Sequence, residues 1–341
     1  MLKDIVLAQK NEKERLLSFS YIERAKAKEA KKWLDSNLIK VVLGPRRSGK
    51  SVFSLMLLKD RPFMYFNFDD ERLFSDKAFD CEELLKELHS AYGATKTIFF
   101  DEVQNLPKWE LFANRLHREG YNLVLTGSNA NLLSRELATA LTGRHIPIEI
   151  FPFDFREFLR AKNFEFFEEK AATSLGLSEY SDFLGKYLAG GGYPEVAVKD
   201  LDPAGYLGVL FDSLLFKDVV RRHRVRFSGQ IGDLASYLMD NAGNLYGLRR
   251  LARVLGFRSG VTLEKYLRYL SEAYLVFCLK RYSVKAGERI KSPQKIYVVD
   301  NGFILAKAVK HSPDNGRLME NLVFTELVKK GWEPNRELFY Y

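Results

Sequence analysis

The sequence contains only two cysteines among its 341 residues, Cys81 and Cys278. They lie far apart and lack metal-ligand spacing, which indicates reduced thiols rather than a disulfide framework or a zinc site. No stretch approaches the roughly 20 consecutive apolar residues that a transmembrane helix needs. Residues 1–17 carry too many charges for a secretory signal. These absences predict a cytoplasmic protein with no membrane partner.

Acidic residues are scarce in one part of the chain. Residues 249–295 contain twelve Lys or Arg side chains and only three Glu, an excess of nine that equals the formal net charge of the whole chain, +9. The basic character therefore belongs to one region. A concentrated positive charge favours a polyanionic partner for that region.

Residues 41–51, VVLGPRRSGKS, match the phosphate-loop pattern G-x-x-x-x-G-K-[ST]. The glycines let backbone N–H groups curl around phosphates, Lys50 reaches the β- and γ-phosphates, and the Ser51 hydroxyl binds Mg²⁺. An apolar run precedes the loop and a helical pattern follows it, as this motif requires. The predicted nucleotide-binding residues are Gly44, Pro45, Arg46, Arg47, Ser48, Gly49, Lys50 and Ser51.

The segment 96–107, KTIFFDEVQNLP, contains a second apolar run that is followed by Asp101 and Glu102. At the end of a buried strand, Asp101 would hold Mg²⁺ through water, and Glu102 would orient and polarise the attacking water. A strand ending in Asp-Glu can also be only a solvated strand end. Together with the phosphate loop it predicts a hydrolytic ATP or GTP site.

A third strand, around 122–126, ends in Gly-Ser-Asn. We expect Ser128 or Asn129 to sense the γ-phosphate, with Thr126 as a weaker candidate; the alternative is a turn without a ligand. Arg144 follows on a glycine turn. It would stabilise transition-state charge, in cis or from a neighbouring subunit, or else it is a surface arginine.

These segments occur in an order that resembles a large group of prokaryotic AAA+-type ATPases with a C-terminal domain of unknown function. The resemblance is carried by GPRRSGKS, IFFDEVQNLPKWE, LTGSNANLLSRE, LTGRH and IFPFDFREFL, and it continues through YLAGGGYPEV, LLFKDVVRRH and KIYVVDNGF. It implies an AAA+ core, a helical lid, a winged helix and a C-terminal domain similar to restriction-endonuclease-like nucleases. The resemblance also favours ATP over GTP. The sequence itself does not decide between the two nucleotides, because no base-reading motif stands out in it.

The fold class that we predict is α/β, because strands expected at 38–43, 62–68, 97–100, 122–126 and 146–150 alternate with helical stretches and so favour a parallel sheet. The predicted domains are the AAA+ P-loop core at 1–150, a helical lid at 151–226, a winged helix at 227–290 and the start of an incomplete nuclease-like domain at 291–341. In the last of these, Glu320 occupies the place of a metal-assisting acid. The acid-x-Lys cluster of such nucleases is missing from 315–341, so nuclease activity is not predicted.

The pattern of residues 244–282 predicts a helix-turn-helix motif, and a β-hairpin wing is expected over 275–299. In a DNA-binding interpretation, side chains on the second helix and the wing contact phosphates of duplex or branched DNA. These side chains are Lys265, Arg268, Arg281, Lys285, Arg289 and Lys291. The alternative is a winged helix that packs on the lid or on another subunit.

The leading hypothesis is therefore an ATPase that uses ATP and Mg²⁺ and couples nucleotide state to DNA engagement. The competing hypothesis is a slow nucleotide-dependent switch that binds a protein partner. A homo-oligomer is compatible with both hypotheses, because Arg144 could act in trans.

Overall fold

A computed structural model describes residues 1–73, 79–128, 141, 143–308 and 314–341. The chain divides into two compact units. The first contains Met1–Gly44 and Gly49–Ile150, and the second contains Pro45–Ser48 and Phe151–Tyr341. Within the described part of the chain, no helix is both long enough and apolar enough to cross a membrane.

The first unit is built on a five-stranded sheet in the order β2-β3-β4-β1-β5, and every neighbouring pair is parallel. Its strands are β1 (Ile39–Leu43), β2 (Met64–Asn67), β3 (Thr97–Asp101), β4 (Asn122–Gly127) and β5 (His145–Glu149). The predicted α/β fold class with a parallel sheet is thus confirmed.

Helices and turns cover both faces of this sheet. They are α1 (Leu2–Leu17), α2 (Ala27–Lys31), α3 (Lys50–Leu58), α4 (Cys81–Tyr92) and α5 (Trp109–Arg118), with 3₁₀ turns at Glu71–Leu73 and Val103–Asn105. Ile39, Val41 and Leu43 of β1 pack into one apolar cluster, whereas Val42 packs into another. Successive side chains of a strand point to opposite faces, so continuous apolar runs are expected in a sheet that is covered on both sides.

The second unit begins with a helical series. It comprises α6 (Phe155–Ala161), α7 (Glu168–Ala171), α8 (Ser174–Gly190), α9 (Pro194–Lys199) and α10 (Pro203–Leu214), which runs directly into a π-helical segment, Leu215–Arg221. Asp154 begins α6 with a capping box, in which its side chain accepts from the Glu157 N–H and the Glu157 side chain accepts from the Asp154 N–H.

The rest of the second unit contains a three-stranded antiparallel sheet in the order β6-β8-β7. Its strands are β6 (Leu245–Tyr246), β7 (Val276–Leu279) and β8 (Gln294–Val298). The helices here are α11 (Ser228–Asp240), α12 (Leu248–Val254), α13 (Gly260–Glu272), α14 (Ala286–Lys291), α15 (Asn301–Lys307) and α16 (Asn315–Lys329).

Candidate active site

The sheet of the first unit brings the predicted catalytic segments to one edge. β4 lies between β1 and β3, with Leu43 opposite Gly127 and Phe100 opposite Leu125. The strands are parallel, so their carboxyl ends meet at the same edge, which is where ligands bind in open α/β sheets. The phosphate loop follows β1, Asp101 ends β3, and Ser128 follows β4.

The glycines of the loop hold backbone conformations that other residues rarely adopt. Gly44 has φ +140°, and a Cβ placed on it would lie 2.0 Å from the carbonyl oxygen of Ile150. Gly49 has φ +92° and is the N-cap of α3. Lys50 is the first residue of that helix and is 4% exposed. The N-terminal N–H groups of α3 therefore follow directly on the loop, the arrangement that binds phosphate.

Asp101 connects the loop to the centre of the sheet. Its carboxylate is 3% exposed. The Ser51 hydroxyl donates to Asp101 Oδ1 at 2.9 Å, and the Thr126 hydroxyl donates to the same oxygen. The Tyr65 hydroxyl donates more weakly to Oδ2, at 3.5 Å. The two residues predicted to bind the metal, Ser51 and Asp101, are thus in direct contact.

Burial raises the pKa of Asp101 to about 6, and the neighbouring Glu102 carboxylate adds to the rise, while hydrogen bonds from Thr126 and Ser51 oppose it. A carboxylate that is desolvated beside a second negative charge favours a cation, because a nearby positive charge stabilises its ionised form. Hard oxygen donors of this kind, a carboxylate and a hydroxyl, suit Mg²⁺.

Glu102 lies just beyond the strand in the left-handed region, with φ +51°. Its backbone N–H donates to Thr126 Oγ1 at 2.9 Å, and its carboxylate accepts a hydrogen bond from the Gln104 side chain. A non-glycine residue at positive φ is uncommon and needs support from its surroundings. Thr126 supplies that support, because the hydrogen bond that it accepts holds the backbone from which the Glu102 side chain extends.

Thr126 and Gln104 contact the acidic pair more closely than the sequence pattern predicts. Thr126 was expected only as a weaker γ-phosphate sensor, but it is fully buried and contacts both acidic residues. The sequence pattern predicts no role for Gln104. The signal that points to Gln104 is its position two residues after Glu102, in the first turn beyond β3.

Ser128 lies at the expected strand tip and is 2% exposed. Within the described residues, its hydroxyl oxygen has no hydrogen-bond partner. A buried hydroxyl without a partner is costly, so a ligand oxygen is a reasonable complement to it. The other expected sensor, Asn129, lies outside the described residues.

Arg144 is not brought to this site. It precedes β5, and Ile39 is opposite His145, so Arg144 lies at the amino edge of the sheet. Its side chain is exposed and donates to Asn114 Oδ1 at 3.3 Å. The five residues of β5 separate it from the carboxyl edge, about 16 Å at the usual rise per residue. The expectation that Arg144 acts in cis is therefore wrong.

The loop-tip residues Pro45–Ser48 group with the second unit. Arg46 there pairs with Asp218, with 3.1 Å between Nε and Oδ2, and Arg47 pairs with Glu195 at 3.3 Å. Ser48 is completely buried.

The basic residues predicted to contact DNA lie in the second unit. Lys265 and Arg268 are exposed on α13, and both cations lie over the Tyr269 ring, 5.7 and 5.8 Å from its centroid. Arg268 also pairs with Glu272 at 3.5 Å. Arg281 is exposed and forms a backbone bridge with Tyr340.

The expected β-hairpin wing is partly wrong. β7 and β8 pair in antiparallel fashion, but α14 occupies the connection between them. Lys285 is the N-cap of α14, and Arg289 and Lys291 lie within it. The Ser283 hydroxyl accepts from the Lys285 N–H at 3.1 Å and donates to Glu288 at 2.9 Å, which starts the helical turn locally.

Glu320, which the resemblance put in the place of a metal-assisting acid, lies on α16. It pairs with Lys295 at 2.6 Å and accepts from the Tyr297 hydroxyl at 2.6 Å. Within the described residues, no group of three or more His, Cys, Asp or Glu side chains could hold a metal.

Comparison with known proteins assigns the two parts of the chain separately. Residues 36–159 match the model of an AAA domain, and residues 181–314 match a domain of unknown function, DUF8612. An uncharacterized protein of Methanocaldococcus jannaschii is 36% identical over 313 residues, which cover 89% of this chain and 69% of the relative. An uncharacterized protein of Haemophilus influenzae is 33% identical over 316 residues, which cover 87% and 76%.

Among solved structures, the Walker-type ATPase Paby2304 of Pyrococcus abyssi is similar, with a TM-score of 0.54 and 14% identity. The match covers 85% of this chain and 99% of that one, and at this identity it shows the fold alone. The chain therefore belongs to the family of AAA-domain proteins that includes the two uncharacterized relatives, and it has the fold of a P-loop ATPase.

Proposed function

We propose that the chain is a Mg²⁺-dependent ATPase that couples its nucleotide state to DNA engagement through a winged helix. One observation carries the hydrolytic part of this proposal. Ser51, Asp101, Glu102 and Thr126 form a continuous hydrogen-bonded chain at the carboxyl edge of the sheet. A phosphate loop alone would support nucleotide binding. These hydrogen bonds support hydrolysis as well, because they hold the backbone of Glu102, the acid proposed to activate water, next to Asp101.

Each side chain then has a distinct part in the reaction. Lys50, at the first turn of α3, neutralises charge on the β- and γ-phosphates. The Glu102 carboxylate accepts a hydrogen bond from the attacking water, orients it and takes its proton. Ser128 donates its hydroxyl to a γ-phosphate oxygen.

Ser51 and Asp101 would hold Mg²⁺, Asp101 through water. The fit rests on the two hard oxygen donors in contact at 2.9 Å and on the buried carboxylate. When bound, Mg²⁺ neutralises charge on the phosphate oxygens.

The order of elements in the second unit supports the winged helix. The elements α11, β6, α12, α13 and β7 follow one another, and β8 comes after α14. In the antiparallel sheet, β8 lies between β6 and β7. We take α12 and α13 as the two helices of a helix-turn-helix that this small sheet flanks. The helix α14 between β7 and β8 takes the place of an extended wing.

The charge of this region supports DNA as its ligand. Arg249, Arg250 and Arg253 of α12 and Arg258 of the following turn are all exposed. Over the described ranges, none of these four forms an ion pair with a carboxylate. Unpaired exposed arginines suit a phosphate backbone, since neutralising phosphates releases bound counterions.

The test is steady-state phosphate release by the purified chain from ATP and from GTP, with and without Mg²⁺. Glu102→Gln should retain ATP binding and lose turnover by about two orders of magnitude or more. Wild-type turnover by the Glu102→Gln variant would overturn the assignment of the general base.

The coupling to DNA is tested by repeating the assay with duplex and branched DNA at low and moderate salt. We expect stimulation that disappears when Arg281, Lys285 and Arg289 are all changed to Glu. Turnover indifferent to DNA, together with the absence of salt-sensitive binding, would instead favour the nucleotide-dependent switch with a protein partner.

A further inference from the structure

The tip of the phosphate loop carries two arginines that contact acidic side chains of the second unit. The Arg46 guanidinium approaches Asp218 in a bidentate manner, with Nε 3.1 Å from Oδ2 and Nη2 3.3 Å from Oδ1. Paired N–H donors of this kind fix direction as well as distance, which a single point charge does not.

The Asp218 carboxylate is buried and lies among cationic partners. Its side chain is 2% exposed, and Arg222 Nη2 lies 3.1 Å from Oδ1. A carboxylate is rarely buried unless its charge is paired and hydrogen-bonded. Asp218 thus accepts two charge-assisted hydrogen bonds from Arg46 and also forms an ion pair with Arg222.

The backbone around Asp218 is unusual as well. It lies in the π-helical segment Leu215–Arg221, which continues α10. Single π-turns within helices are uncommon and frequently occur at functional sites, because the extra residue re-aims the side chains that follow.

A second pair holds the neighbouring loop residue. Arg47 has φ +66°, and its Nη1 lies 3.3 Å from Glu195 Oε1 in the first turn of α9. Arg47 is more exposed than Arg46, so screening by solvent makes this the weaker of the two contacts.

We propose that Asp218 is a positioning residue for nucleotide binding, which holds the phosphate loop in its phosphate-binding form through Arg46. The inference rests on the proposed nucleotide-binding function. The loop amides are preorganised by contacts made at the loop tip, in residues that belong to the second unit. Preorganised donors bind an anion more tightly because less ordering remains to be done on binding.

Hydrogen exchange of the nucleotide-free full chain tests the positioning itself. Arg46→Gln removes the guanidinium that the loop contributes to the contact. Asp218 stays paired with Arg222, so its buried carboxylate keeps a cationic partner. Amides in peptides covering residues 44–51 should exchange about tenfold faster in this variant and in Asp218→Asn. Unchanged exchange in Arg46→Gln would overturn the proposal even if Asp218→Asn failed to fold.

Two further variants separate positioning from stability. Asp212→Asn changes an exposed aspartate on α10, 66% exposed and paired with Lys307 at 2.7 Å, and should leave the loop amides unchanged. Arg222→Gln removes the other partner of Asp218 but not the loop contact. It should lower the thermal midpoint and again leave exchange in the loop near the wild-type rate.

Binding of a fluorescent ATP analogue, mant-ATP, gives the functional readout. We expect Asp218→Asn to weaken its affinity about tenfold, and to raise KM more than it lowers kcat at saturating ATP. The double variant with Arg46→Gln should bind no more weakly than the Asp218→Asn variant alone. Wild-type affinity in Asp218→Asn would overturn the proposal.

The two proposals fail in different ways. If the wild-type chain bound no mant-ATP, the proposed nucleotide function would be wrong, whereas hydrogen exchange would still decide whether Asp218 holds the loop. If the wild-type chain bound mant-ATP and exchange in the loop did not change in Arg46→Gln, only the positioning inference would be wrong.

Discussion

Thr126 accepts a hydrogen bond from the backbone N–H of Glu102, with 2.9 Å between the nitrogen and Oγ1, and donates its own hydroxyl proton to Asp101. One buried hydroxyl thus bonds both to the Asp101 carboxylate and to the backbone of Glu102. Because Thr126 lies on β4 and the two acids follow from β3, the relationship depends on the register of the sheet.

Removing this hydroxyl should impair turnover without removing any group that touches substrate. Thr126→Val has nearly the same shape, but it leaves the Glu102 N–H without its acceptor, at a stability cost of about 1–3 kcal/mol. We expect kcat to fall about 10- to 100-fold, as for other residues that orient a metal ligand. The measurement is phosphate release at saturating ATP.

Thr126→Ser is the matched control, since it keeps the hydroxyl and removes only a methyl group. It should retain most of the wild-type kcat. Equal reductions of kcat in the two variants would mean that packing, not hydrogen bonding, explains the effect of Thr126.

A methyl group on Gly44 should damage the first unit severely. Its Cβ would lie 2.0 Å from the Ile150 carbonyl oxygen, a backbone atom that cannot move independently. We expect Gly44→Ala to lower the free energy of unfolding by more than about 2 kcal/mol, measured by urea denaturation.

Gly120→Ala separates this clash from the cost of a positive φ. Gly120 has φ +81°, and no atom lies within 4 Å of its hypothetical Cβ. This variant should be destabilised by only about 1–2 kcal/mol, the penalty for an L-residue in the left-handed region. If Gly44→Ala lowered the free energy of unfolding no more than Gly120→Ala does, the close approach to Ile150 would not contribute to the destabilisation.

The sheet and its site edge were predictable from the sequence because they depend on local signals. Each central strand is mostly apolar, with exceptions such as Lys40 in β1 and Thr126 in β4, and a glycine or a polar residue lies at or just after the end of each. In a parallel sheet these ends meet, so the contact between Ser51 and Asp101 follows from the pattern, although 50 positions separate the two residues.

The errors concern information that is not local. Arg144 was expected near the nucleotide because it lies on a glycine turn before a strand, but the direction of β5 puts it at the opposite edge of the sheet. The contact between Arg46 and Asp218 joins residues 172 positions apart and depends on how a π-helical segment aims one side chain. No periodicity encodes such a pairing.

The helix α14 was missed for a third reason. Residues 286–291 contain a glycine and lie between two strands, so a hairpin turn was the simpler interpretation. The Ser283 hydroxyl instead accepts from the Lys285 N–H and donates to the Glu288 side chain at the start of this segment. Helices of six residues are marginal on propensity alone and need such local bonds or tertiary contacts.

The arginines of α12 should account for a measurable part of the salt dependence of DNA binding. A variant with Arg249, Arg250 and Arg253 changed to Ala should bind duplex DNA more weakly. The slope of log K against log salt should become shallower by up to about 0.9 for each phosphate that is no longer neutralised. Fluorescence anisotropy over a salt series, from about 50 to 200 mM, measures both quantities.

A variant with the same charge change is the control. Lys307, Arg317 and Arg336 are paired with Asp212, Asp314 and Glu333 at 2.7, 3.1 and 2.8 Å. Changing these three to Ala should leave the slope nearly unchanged. Identical effects of the two triple variants would show that net charge, rather than the α12 face, governs binding.

His223 should make the second unit less stable at mildly acidic pH. Its ring stacks on Tyr269, with 3.6 Å between centroids and 9° between planes. Burial, together with the positive charges of Arg222, Arg268 and Lys265, lowers the pKa of His223 to about 4, although Glu272 lies 3.5 Å away. The folded chain therefore keeps this imidazole neutral.

The unfolded chain takes up a proton near pH 6.5, the ordinary pKa of histidine, and the folded chain does so only near pH 4. The contribution of His223 to the free energy of unfolding is thus fully present above pH 6.5. It falls as the pH drops towards 4 and is constant below that. The ring-proton shifts of His223 in a pH titration by NMR, assigned with His223→Phe, measure the folded pKa. Lys265→Gln removes one cation and should move this pKa upward. A pKa near 6.5 in the wild-type chain would contradict the prediction.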